Sequence, residues 1–363
     1  MTLLVDAHAD IAYNMLKYGR DYTRPAAETR RLESGSHTVQ DNGDTLLGWA
    51  DYQRGQVALI FATLFAAPIR FRTYETEKQV YKTFDDAHKL YRDQLDAYHR
   101  LTDNIPDKFR LIASKRDLDL HLDQWNRSTP EATGHPVGMV ILMEGGEAIR
   151  DLSELEMWHS RGVRLIGPAW VGTRYCGGWK EPGPLTDDGR KLLAAMPDFN
   201  FTLDLSHMDE RAAVEALDIY EGPIVATHAN CAALMRNSNT NRHLSDRILE
   251  GIIERDGVVG VVPFNNYLKV GWSVSKSARE EVSLQDVVNH MDHVCQIAGN
   301  SLHVGIGSDF DGGFGLQSVP HEIDTVADLQ KLVSLLGARG YSEQDVENIL
   351  GGNWLTRLKR DLP

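Results

Sequence analysis

With 363 residues, 42% hydrophobic and 25% charged, the chain has the make-up of a globular protein and no polar or repetitive stretch long enough for a disordered tail. Its formal net charge of −14 repels nucleic acid and anionic membrane surfaces, so neither is an expected partner. The cysteines Cys176, Cys231 and Cys295 are odd in number and widely spaced with no CxxC pair, so reduced thiols and a cytoplasmic location are expected.

The opening MTLLVDAHAD stops its apolar run at Asp6, without a basic start or a small-residue cleavage site, and reads as a first strand instead of a signal peptide. Seven further short apolar runs follow: Val57 to Phe65, Val137 to Met143, Val163 to Ala169, Phe201 to Leu205, Pro223 to Thr227, Val258 to Phe264 and Leu302 to Gly307. None approaches the roughly 18 consecutive apolar residues of a membrane span. Runs apolar on both faces suit strands of a parallel sheet wrapped by helices, and each gap between them has room for a helix.

Between the second and third runs, Thr73 to Leu101 carries Tyr74, Tyr81, Phe84, Leu90, Leu95 and Tyr98 among many charges, which predicts one long amphipathic helix. Asn104 to Pro136 reads as a helix plus a loop insertion. The tail Ser342-Glu343-Gln344-Asp345 opens as an N-cap ahead of Val346, Ile349 and Leu350, predicting a terminal helix. No composition shift marks a boundary, so residues 1–363 are expected to form one domain.

Eight strands with intervening helices make either a closed barrel or an open doubly wound sheet. The first run leads into HAD with no GxGxxG, which weighs against a dinucleotide-binding open sheet. His8 and Asp10 follow that run one residue apart, so in extended chain both side chains point to one side. Alone, such a pair matches by chance, and a strand-end histidine is more often a hydrogen-bonded core residue. Glu144 ends the third run in MEGG, where a carboxylate behind an apolar strand needs a metal, a helix N-terminus or an arginine.

His207 ends the fifth run, His228 the sixth and Asp309 the eighth. In a closed barrel these strand ends converge on one mouth, where barrel active sites sit. Six such groups crowded together would repel or stay unsatisfied without a cation, whereas one or two zinc ions accept histidine nitrogen and carboxylate oxygen at normal coordination. The expected fold is therefore α/β, a (β/α)8 TIM barrel with helical insertions and a metal site at its C-terminal mouth.

HAD after the first run, EGG after the third, SH and TH at the next two sites, NNY at Asn265 to Tyr267, GSDFDG at Gly307 to Gly312 and GGNW at Gly351 to Trp354 resemble the membrane (renal-type) dipeptidases, peptidase family M19. Order and strand context match over almost the whole chain. The resemblance implies an amidohydrolase-type barrel with two zinc ions per chain, His8 and Asp10 on one, His207 and His228 on the other, and Glu144 and a hydroxide bridging them. It makes Asp309 the group that moves the proton to the leaving amine, and Asp311 a supporting residue. It suggests Arg242 as a clamp for the substrate carboxylate and Tyr267 as a pocket wall. In one place the chain departs: where the family carries a substrate-holding histidine after the fourth strand, Gly167-Pro168-Ala169-Trp170 places Trp170, whose indole only donates one hydrogen bond.

The resulting expectation is a dipeptidase acting on small substrates, including dipeptides with a D-configured C-terminal residue. N-acyl amino acids are the alternative substrate, with Trp170 lining an acyl pocket. Barrels that cleave phosphotriesters or lactones commonly bridge their metals with a modified lysine, and no lysine follows the later strands. A non-catalytic metal-binding barrel would have no use for Asp309. A homodimer is left open.

Overall fold

All eight apolar runs become strands in the computed structural model, which describes residues 2–72, 77–127 and 134–363. They are β1 (Leu4–Ala9), β2 (Val57–Leu64), β3 (Val137–Glu144), β4 (Val163–Gly167), β5 (Thr202–Asp204), β6 (Ile224–Val225), β7 (Val259–Val261) and β8 (Val304–Ile306). Every residue in them is buried, as strands sandwiched between a barrel interior and a helical coat must be.

Parallel pairing runs in sequence order from β1 to β6, joins β7 to β8, and returns from β8 to β1, where Asp6 sits opposite Ile306. Between β6 and β7 the ring is completed by one bridge, Ala226 to Val259, with Ala226 donating to the Val258 carbonyl at 3.0 Å and Gly260 to that of Ala226 at 2.8 Å. A side chain at Gly260 would put its Cβ 1.9 Å from the Thr227 carbonyl oxygen, so the closure requires glycine there. The result is a nearly closed (β/α)8 barrel.

Val5, Ala7, Leu59, Phe61, Val140 and Leu142 fill the barrel interior, in a cluster separate from the larger core between strands and helices. The floor is sealed by the C-terminal helix Asn353–Asp361, whose buried Trp354 donates its indole N–H to the Ile306 carbonyl at 3.1 Å and meets Phe61 edge-on at 5.3 Å. Ser342 caps the preceding turn as expected, accepting from Asp345 N while Asp345 Oδ2 accepts from Ser342 N at 3.0 Å.

Two expectations are corrected. The long helix starts at Phe84, not near Thr73, because Thr83 and Asp86 form a capping box that ends the preceding chain; it runs to Asn104. Tyr81 instead lies in a short strand, Val80–Tyr81, paired with Ala67–Pro68, and Tyr74 falls outside the described residues. Within Asn104 to Pro136, a three-residue strand, Phe109–Leu111, pairs with the start of β3 ahead of the helix Lys115–Asn126. With Arg110 at its centre, that strand is too short and too polar to show as an apolar run. Among the described residues no helix is long and apolar enough to cross a membrane.

Candidate metal centre

The strands aim the predicted groups inward by ordinary alternation, with one exception. Val140 and Leu142 face the barrel axis, and Glu144 continues that set at the C-terminal end of β3. In β1 the register against β2 slips by a residue between Asp6 and Ala9, and this bulge turns His8 inward directly after the inward-facing Ala7. His207 and His228 follow β5 and β6, Asp10 lies just past β1, and Asp309 lies beyond β8 with a left-handed backbone, φ 56°.

All six groups meet at the mouth. Glu144 offers Oε2 to His8 Nε2 at 3.4 Å and Oε1 to His207 Nε2 at 2.9 Å and His228 Nε2 at 3.6 Å. His8 Nε2 is 3.8 Å from Asp10 Oδ2 and 3.8 Å from Asp309 Oδ1. Three triads have ligand atoms within 4.8 Å of one another: His8, Asp10 and Glu144; Glu144, His207 and His228; and His8, His228 and Asp309. Glu144 thus belongs to two triads with a different oxygen turned to each.

The electrostatics fit a cation. Burial works against charge on His8, yet Glu144, Asp10 and Asp309 raise it to about 10, so the carboxylates pull positive charge into the cluster. Burial lowers His207 to about 4, aided by Arg242, and holds His228 well below its ordinary value, leaving both as the neutral imidazoles that bind metals. Burial raises Asp309 to about 7; His8 opposes the shift and Glu144 adds to it. Asp10 Oδ1 is buried with no hydrogen-bond partner.

Sequence reasoning missed the groups behind these. Thr227 Oγ1 donates to Asp204 Oδ2 at 2.6 Å, which leaves it free to accept from His228 Nδ1 at 3.0 Å. The imidazole proton is thereby fixed on Nδ1, and the Nε2 lone pair faces Glu144. On the other side, Asp6 accepts from Ser308 N at 2.6 Å and Ser308 Oγ at 2.5 Å, binding the loop after β8 to β1. The only hint in the sequence is an acidic residue inside an otherwise apolar strand, at Asp6 and again at Asp204.

A cavity of about 400 Å3 opens onto the cluster, with Asp10, Glu144, His207 and Asp309 in its floor and Tyr267 and Trp170 in its walls. Arg242 does not line it. That guanidinium is buried, donating Nη1 to the Ser206 carbonyl at 2.5 Å and Nη2 to that of His228 at 2.6 Å, with Nε unpartnered and the Tyr267 ring 5.5 Å away. Trp170 approaches His207, their rings 6.4 Å apart.

Comparison with known proteins agrees with this architecture. The model of the membrane dipeptidase family, peptidase family M19, matches residues 1–360. The dipeptidase aclJ of Aspergillus oryzae is 25% identical over 327 residues, 87% of this chain and 70% of that protein. The crystal structure of dipeptidase AC, a family M19 metallopeptidase, superposes with a TM-score of 0.77 at 26% identity over 99% of each chain. A metallopeptidase from Rhodobacter sphaeroides, liganded with a phosphinate mimic of the dipeptide L-Ala-D-Ala, gives 0.77 at 25% identity over 100% of each. Matched from end to end and folded like its relatives, the chain belongs to the membrane dipeptidase family, M19, and is a hydrolase.

Proposed function

We propose that this protein is a zinc dipeptidase that holds two zinc ions and hydrolyses the peptide bond of dipeptides, including those with a D-configured C-terminal residue. The split allegiance of Glu144 carries the reading: one oxygen faces His8 and the other faces His207 and His228, as a carboxylate shared between two ions would. His8 and Asp10 would hold one ion, and His207 and His228 the other. When bound, zinc supplies Lewis acidity to the scissile carbonyl and acidifies water towards neutral pH.

The chain's own groups do the rest. Asp309 Oδ1, close to His8 and beside the cavity, takes the proton of the attacking water and returns it to the leaving amine. Arg242, buried 5.5 Å from the Tyr267 ring, acts on the substrate carboxylate through its charge and not by direct contact, with Tyr267 as the wall between. Trp170 covers the opposite side and keeps bulk water from the carbonyl. The L-Ala-D-Ala mimic bound by the Rhodobacter sphaeroides relative supports the D-residue reading.

Deacylation of N-acyl amino acids needs the same groups, and the aromatic rings beside Trp170 favour it as the second reading. The test is metal content per chain together with turnover of L,L-, L,D- and D,D-dipeptides and N-acetyl amino acids, with Asp309→Asn alongside. Two zincs and Asp309-dependent dipeptide cleavage are expected. Cleavage of acyl amino acids alone would replace the substrate class, and a metal-free, inactive protein would overturn the mechanism.

A further inference from the structure

The cavity above the cluster has two aromatic walls on opposite sides of the barrel mouth. One is built by loops after β2 and β4: Trp170 meets Phe65 edge-on at 5.0 Å, Phe71 at 6.1 Å and Trp179 at 5.6 Å. The other comes from segments after β7 and β8, where Phe264 stacks on Phe314 at 4.1 Å and meets Tyr267 at 4.8 Å. All seven rings line the cavity, and the four of the first wall are only half-buried. Large apolar residues exposed elsewhere are scattered, whereas here uncovered ring surface converges on one hollow.

The first wall is braced, so its rings are held in place. Arg70 grips Glu181 through two hydrogen bonds of 2.8 and 2.7 Å and the Gly172 carbonyl at 2.7 Å, fixing the hairpin Cys176–Gly178/Glu181–Leu185 that carries Trp179. From the other side Asn241 holds the Gly178 carbonyl at 3.0 Å and the Lys180 N–H at 3.1 Å, and Thr240 accepts from the Trp179 indole at 3.2 Å. A rigid aromatic surface of this kind is preorganised for an apolar occupant.

Polarity across the mouth decides which part of the substrate reaches it. Arg242 is buried directly behind Tyr267, so its positive charge draws the substrate carboxylate to that side of the mouth and places the C-terminal residue against the second wall. The remainder of the substrate crosses the cluster towards the loops after β2 and β4. We propose that the Phe65–Phe71–Trp170–Trp179 wall is the side pocket for the N-terminal residue and selects substrates whose side chain there is aromatic. This rests on the amide-hydrolase reading above. Edge-to-face packing and ring burial make the expected preference for phenylalanine or tryptophan over alanine about tenfold in kcat/KM.

The test is kcat/KM for Phe-, Trp-, Leu-, Glu-, Lys- and Ala-D-Ala, beside Ala-D-Phe against Ala-D-Ala. Aromatic N-terminal residues are expected to lead, and Trp170→Ala should bring the Phe-D-Ala to Ala-D-Ala ratio close to one without changing the Ala-D-Phe to Ala-D-Ala ratio. Phe71→Ala should lower the first ratio in the same direction, which guards against a poorly folded Trp170 variant. Dipeptide cleavage with no aromatic preference, or with glutamate leading because of Lys180 beside Trp179, would overturn the inference and leave the dipeptidase reading intact. If only N-acyl amino acids are cleaved, the dipeptidase reading fails, and the same pocket is tested by N-benzoyl against N-acetyl amino acids; equal rates there would sink it. Turnover of neither series would overturn both.

Discussion

Arg20 and Asp311 form an ion pair inside the protein, Nη1 to Oδ2 at 3.0 Å, which joins the loop after β8 to the segment after β1. Asp311 is fully buried and also accepts from Tyr22 Oη at 2.8 Å, Thr45 Oγ1 at 2.6 Å and Leu46 N at 3.0 Å. Two residues upstream stands Asp309, and both aspartates hold left-handed backbones, φ 56° and 64°. Asp311 is a positioning residue: its four bonds hold the backbone that presents Asp309. Asparagine tolerates that backbone, so Asp311→Asn removes the charge without forcing a new turn. The expected result is a Tm drop of several degrees, since a broken buried pair costs roughly 3–5 kcal/mol, and a kcat loss of at least about tenfold with KM changed less. Thermal melts and steady-state kinetics read both; an unchanged kcat would show that Asp309 does not depend on this anchor.

The cluster gathers three carboxylates, the buried Asp10 and Glu144 and the partly exposed Asp309, around His8, on which they favour positive charge against the effect of burial. A native state that binds metal more tightly than the unfolded chain gains stability from it. Treatment with a chelator should therefore lower Tm, and zinc should restore it. Glu144→Gln, of nearly equal volume, should bind less metal and lose most of this zinc-dependent shift, because it alters the ligand proposed to be shared. Equal zinc-induced shifts in the variant and the wild type would remove Glu144 from the ligand set.

Much of this was readable in advance, and the reason is physical. Strands buried on both faces are largely apolar, so all eight runs stood out, and polar groups at their C-terminal ends had few neighbours to confuse them with. What escaped was local chemistry with distant partners. The Asp6–Ser308 bond spans 302 residues, and nothing near Arg20 indicates Asp311. The hairpin carrying Trp179 is glycine- and proline-rich, CGGWKEPGPL, and gives no strand periodicity. Helix onset at Phe84 depended on the Thr83–Asp86 cap, which apolar spacing from Thr73 onward concealed.

Away from the metal groups, His121 sets a pH dependence of stability. It is fully buried beside the start of β3, with Nε2 2.8 Å from the Ala58 carbonyl, and burial lowers it to about 4 although that bond works the other way. Between its ordinary 6.5 and about 4, the unfolded chain takes up a proton here that the native state refuses. Stability from this group is thus complete above pH 6.5 and is lost as pH falls through that window, at up to about 1.4 kcal/mol per pH unit. His121→Gln keeps a donor for Ala58 and cannot titrate. Urea denaturation at pH 7.5 and 5.0 should show a smaller loss of stability in the variant than in the wild type; parallel losses would mean that His121 is protonated in the native state.

Gly312 offers the most selective way to separate catalysis from folding. A Cβ at this position would sit 2.0 Å from Asp309 Oδ1 and 2.8 Å from Asp10 Oδ2, while its other near neighbour is the Asp309 carbonyl at 2.8 Å. The atoms in the way include the ends of two side chains, so in Gly312→Ala those carboxylates are expected to swing aside while the barrel, held by β1 and β8 and by the Asp311 bonds, keeps its shape. A carboxylate displaced by about 1 Å from the reacting atoms costs on the order of a hundredfold in rate. The variant should therefore lose kcat by about that factor with a modest fall in Tm, and it should retain metal at His207 and His228 while binding less at His8 and Asp10. Kinetics, melting and metal content on the same preparation decide the matter. Full activity would mean that Asp309 as placed here is not the group that moves the proton, whereas collapse of the fold would mean that the loop after β8 belongs to the stability core.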